Sequence, residues 1–155
     1  MTDNDQIFAL KLSIRKRMLD LEEEELAVAV AHYENYLKEV ALDDREGHDK
    51  DDIVSSRESA DLAAAFDHPI VTHQAKIDVL EDTDFSPADE VRPGAVVSFN
   101  GRSFVVAVST SRFDCGGVTY MGISTMSPIY KAIAGLQGGD EFEFNGRTFT
   151  LDQVL

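Results

Sequence analysis

The sequence predicts an α+β protein, an N-terminal antiparallel helical hairpin of coiled-coil type followed by a small, strongly bent antiparallel sheet carrying one short helix. Three observations predict it. Apolar residues recur at helical spacing up to about residue 90 and at strand spacing after it. Glycine falls the same way, with Gly47 alone before residue 90 and nine glycines after it. Charge divides there too: of 29 acidic and 14 basic residues, 24 and 9 lie in 1–90, whereas 91–155 holds five of each. The domains are therefore expected at 1–88 and 89–155.

In the first, Ile7, Leu10, Ile14, Met18 and Leu21 are spaced 3-4-4-3, and Leu26, Val30, Tyr33, Leu37 and Val40 are spaced 4-3-4-3. Together they draw one face of a helix from about Asn4 to Ala41, on the order of 55 Å long. The stripe slips by one residue at Glu22-Glu23-Glu24-Glu25, a run expected to be solvated. A helix this long needs a partner. Phe66, Ile70, His73, Ile77 and Leu80 supply one at 4-3-4-3 spacing, a second helix from about Asp52 to Asp82 folding back across a polar turn at 43–52. Pro69 predicts a kink, or a restart capped by Asp67.

In the second domain Asn100-Gly101 and Asn145-Gly146 each separate two runs of β formers, the signature of a hairpin closed by a type I′ turn. Those runs are 96–99 with 102–108, and 140–144 with 147–151; 118–123 reads as a further strand. Ser127-Pro128 reads as an N-cap and first helical position for a helix over 129–134 that Gly135 ends.

The net charge of −15 makes unassisted binding to a phosphate backbone or an anionic membrane repulsive. Any nucleic-acid role is expected to run through a partner or a metal, with no direct sequence-specific DNA contact and no membrane. Cys115, the single cysteine, excludes an internal disulfide and multi-Cys zinc sites. It is read as a small residue in a turn over Phe113–Gly117. With no basic N-terminal region and no apolar run long enough to span a bilayer, a soluble, unexported, cytoplasmic protein is expected. His32, His48, His68 and His73 show no zinc-binding spacing, and the acids from Asp43 onward fail the EF-hand pattern. No phosphate-binding glycine motif or nucleophile–base pair can be assembled, so an enzyme is not expected.

The segment Ser127-Pro128-Ile129-Tyr130-Lys131-Ala132-Ile133-Ala134-Gly135-Leu136-Gln137-Gly138-Gly139-Asp140-Glu141-Phe142-Glu143-Phe144 resembles the C-terminal signature of the Gre family of bacterial transcript-cleavage factors. Val91-Arg92-Pro93-Gly94-Ala95-Val96-Val97 is similar to that family's approach to its first C-terminal strand, and the acidic hairpin is similar in architecture. The resemblance implies an FKBP-like C-terminal sheet that docks on RNA polymerase while the hairpin enters the secondary channel. It also implies tip acids that share a magnesium ion with the polymerase's own catalytic centre; the factor would carry no cofactor of its own. On this chain the tip candidates are Asp43, Asp44, Glu46 and Asp49, and the docking candidates are Met126, Ser127, Pro128 and Ile129. The family's Asp-Leu-Ser-Glu-Asn tip run is not reproduced by Asp43-Asp44-Arg45-Glu46-Gly47-His48-Asp49. Two alternatives therefore stay open: a channel-occupying regulator that does not stimulate cleavage, and a helical-hairpin interaction module that pairs with other helices.

Overall fold

A computed structural model describes residues 3–43 and 68–155. The fold is α+β, as expected. Helix α1 runs unbroken over Asp3–Asp43, helix α2 is described over 68–82, and helix α3 is Pro128–Ile133. The strands are β1 Val96–Phe99, β2 Arg102–Ala107, β3 Arg112–Cys115, β4 Val118–Ser124, β5 Glu141–Phe144, β6 Arg147–Thr150 and β7 Gln153–Val154. Two compact units result, one of Met1–Leu19 with Asp78–Leu155 and one of Asp20–Ile77. The predicted turn at 43–52, apart from Asp43, and the predicted second helix up to Asp67, with Phe66, lie outside the described residues; Pro69 lies within α2.

In α1 the buried residues are Lys11, Ile14, Met18 and Glu22, at spacing 3-4-4. The seam thus passes through Glu22, and the slip expected from the apolar residues alone does not occur. The expectation of a solvated glutamate run is corrected at Glu22, which is 2% exposed, and holds for its three successors, which are exposed.

In the larger unit β1 and β2 pair antiparallel across Asn100-Gly101, and β5 and β6 across Asn145-Gly146, with both residues of each turn at positive φ. The sheet order is β3-β4-β2-β1-β7, and β5-β6 stands as a separate two-stranded sheet. The all-antiparallel expectation fails at one pair, because β2 and β4 are parallel. The cause is a strand read as a turn: Arg112–Cys115 forms β3, antiparallel to β4, and the turn is Gly116-Gly117 alone, both at positive φ. Two successive hairpins laid side by side bring the second strand of one beside the second strand of the other, and these run the same way.

Strand alternation then sorts the core onto two faces. Val97, Phe99, Val106 and Ile123 face a cluster completed by Val91, Ile133, Phe142 and Leu151. Phe99 is its hub, with ring centroids 5.1 Å from Phe104, 5.1 Å from Phe142 and 5.7 Å from Phe149. Gly122, in register with Val105, takes the other face. A Cβ there would lie 2.2 Å from the Val108 carbonyl oxygen and 2.9 Å from Thr110 Oγ1, so the glycine lets the 108–110 segment pass close to β4.

Two basic residues of α1 complete this unit. Arg15 donates from Nε to the Leu80 carbonyl at 2.8 Å and from Nη2 to the Glu81 carbonyl at 2.6 Å, capping α2 where its last carbonyls have no helical partner. Lys11, fully buried, donates to the carbonyls of Ser86 at 2.8 Å and Leu155 at 2.9 Å. Burial and the nearby Arg92 charge lower its pKa from 10.5 to about 8, against an opposing pull from Asp84.

Two outcomes are expected. Folding lowers the Lys11 pKa, so between about 8 and 10.5 the unfolded chain holds a proton that the folded chain has shed. Across that window the urea midpoint of the wild type should rise relative to that of Lys11→Met; parallel pH profiles would refute the buried charge. Gly94 has φ +92°, and a Cβ on it would lie 1.9 Å from the Asp84 carbonyl oxygen. Gly94→Ala should therefore cost at least ~2 kcal/mol in urea unfolding.

Candidate functional site

Met126, Ser127, Pro128 and Ile129 form one compact feature of the larger unit. Ser127 is the N-cap of α3 and accepts from the Tyr130 amide at 3.3 Å. Its hydroxyl donates to the Ser124 carbonyl at 2.6 Å, and the Met126 amide donates to Ser124 Oγ at 2.9 Å. Pro128 takes the first helical turn, where no amide hydrogen is required. Ile129 packs against the core cluster, whereas Met126 is 77% exposed. The hydrogen bonds fix the backbone of a turn that presents one flexible, polarisable side chain to solvent, a suitable anchor for a protein partner. Beyond the helix Gly135 has φ +79°, and Asp140 Oδ2 accepts from the Gln137 amide at 2.8 Å where the chain turns toward β5.

Of the tip acids, Asp43 is the last residue of α1, and Asp44, Glu46 and Asp49 lie outside the described residues. Among the described residues the structure instead brings together Glu22, Glu25 and His73, one ligand atom of each lying within 4.8 Å of the others. All three belong to the smaller unit, where α1 and α2 run antiparallel. His73 Nδ1 stands 2.6 Å from Glu22 Oε2, and its Nε2 stands 3.4 Å from Glu25 Oε2. Lys76 Nζ is 3.9 Å from Glu22 Oε1. A cavity of about 470 Å³ opens beside them, lined by Leu21, Val28, Ala29, His32 and Pro69 among others.

Sequence reasoning missed this group because it tests histidines by motif spacing, and these ligands come from two helices. A signal was nevertheless present: His73 occupies a seam position in the second helix, and Glu22 lies four residues beyond the seam residue Met18. A polar residue at the seam of each helix predicts a polar pair between them.

No family model matches the chain, and no curated protein matches it. Among solved structures it is similar to that of the transcription factor Gfh1, with 21% identity over 92% of this chain and 93% of that chain and a TM-score of 0.33. It is also similar to GreA factor homolog 1 (Gfh1) of Thermus thermophilus, with 20% identity over 91% and 94% and a TM-score of 0.34.

Ser127→Ala removes the acceptor that caps α3 and the hydroxyl bond to Ser124. It should cost about 1 kcal/mol in urea unfolding; a change under a few tenths would show that the cap does not set the turn.

Proposed function

We propose that the chain is a Gre-like transcription factor that binds bacterial RNA polymerase through the secondary channel and modulates elongation, pausing or the cleavage of backtracked RNA. The observation that carries this reading is the segment 127–144, whose residues resemble the Gre signature and whose serine, proline and glycines do the structural work the signature asks of them. Ser127 caps, Pro128 opens the helix, Gly135 ends it, and the chain then turns into β5. Supporting it is the concentration of acidic charge before residue 90, which suits an element that enters a basic channel.

In this reading the catalytic centre belongs to the polymerase, and the chain is not an enzyme alone. Asp43, Asp44, Glu46 and Asp49 would complete the coordination of a magnesium ion that the polymerase mostly supplies, since magnesium takes one or two carboxylates and fills its other positions with water and phosphate. Met126 and the turn behind it would dock on the polymerase surface. The departure of the tip from the Gre run favours a second reading, a channel-occupying regulator that leaves cleavage unstimulated.

The test is a pull-down with core RNA polymerase, followed by a cleavage time course on a backtracked complex at saturating factor. Binding should weaken as salt rises and should be lost in Met126→Asp, whose exposed site tolerates the change without unfolding. Absence of binding at low salt would overturn the proposal. Asp43→Asn with Asp44→Asn should keep binding and slow cleavage by roughly 100-fold or more. If the wild type stimulates no cleavage, the second reading holds.

A further inference from the structure

We propose that the smaller unit holds a binding site for a transition-metal dication such as zinc, formed by His73 and Glu25 with Glu22 behind the imidazole. The argument begins with Glu22, a carboxylate that is 2% exposed on the seam of α1. Lys76, with Nζ 3.9 Å from Oε1, offsets its charge, so Glu22 needs no metal of its own. Its other oxygen accepts from His73 Nδ1 at 2.6 Å. With its hydrogen on Nδ1 the ring offers its Nε2 lone pair to a metal, the arrangement by which a carboxylate orients a metal-binding histidine.

Nε2 stands 3.4 Å from Glu25 Oε2. Two ligand atoms bound at about 2.1 Å with tetrahedral angles stand roughly 3.4 Å apart, so a zinc-sized ion bridges this pair without moving either helix. Glu25 is half exposed and borders the cavity of about 470 Å³, from which water can fill the remaining positions. One imidazole nitrogen and one carboxylate suit zinc or cobalt(II) and suit magnesium poorly, because magnesium demands octahedral oxygen coordination. The ligands join α1 to α2 within the smaller unit, so a bound dication would clamp the two helices together.

The experiment titrates the intact chain with cobalt(II), read by its visible ligand-field absorption, and with zinc, read by calorimetry. The wild type should bind saturably and give the intense bands of tetrahedral cobalt. Glu25→Gln and His73→Gln should each weaken binding at least tenfold, and Glu22→Gln by about tenfold through loss of the orienting carboxylate. Glu25 is exposed enough for its variant to fold as the wild type does, so it decides the matter if the other two unfold. The proposal is overturned if no tetrahedral cobalt spectrum forms. Equal affinity in wild type and Glu25→Gln overturns it as well, since the dication would then be held elsewhere, as on the acids of 43–52.

Discussion

A fully buried lysine sets the terms for the larger unit. Lys11 has nowhere to place its ammonium hydrogens except on protein acceptors, and it reaches two, the carbonyls of Ser86 and Leu155. An unsatisfied ammonium in that position would cost several kcal/mol. Three segments far apart in the sequence, the first turns of α1, the connection after α2 and the residue that follows β7, must therefore meet at one point. The Leu155 carbonyl also accepts from the Val96 amide at 3.0 Å, so the same atom ties α1 and the first strand of the sheet together. Arg15, one turn further along, fastens the end of α2 in the same manner.

The connection that supplies the Ser86 carbonyl is itself tightly built. The Ser86 amide donates to Asp84 Oδ1 at 2.9 Å, and this bond, before all other influences, holds the Asp84 carboxyl below its usual pKa. Gly94 lies against the Asp84 carbonyl at a distance no side chain would allow. Phe85, Ala88 and Val91 are buried between them, so the segment leading to β1 is packed as a core element and is no loose linker. The polar constraints of α1 are met because this segment cannot move away from them.

The smaller unit solves a similar problem by a different route. Glu22 occupies a seam position and meets His73 and Lys76 from the facing helix, so the two helices are matched by polar groups at this level. Polar groups at a seam favour one register over its neighbours, since a slip would leave a buried carboxylate without a partner.

The α+β class, the two Asn-Gly hairpins and the capped helix after Ser127 were legible in the sequence, because each rests on local chemistry: periodicity, positive φ in a two-residue turn, a serine oxygen facing free amides. The docking candidates, like the tip acids, rest on the family resemblance; local chemistry reads only the cap at Ser127. Only the tertiary structure decided the rest. Arg112–Cys115 is too short and too polar to announce itself as a strand, and β4 supplies the partner that makes it one. The parallel pairing of β2 and β4 follows from how two hairpins lie side by side, which no local pattern encodes. Lys11 and Glu22 look like surface residues because a charged side chain is ordinarily solvated; each is buried because groups from a distant segment replace water around it.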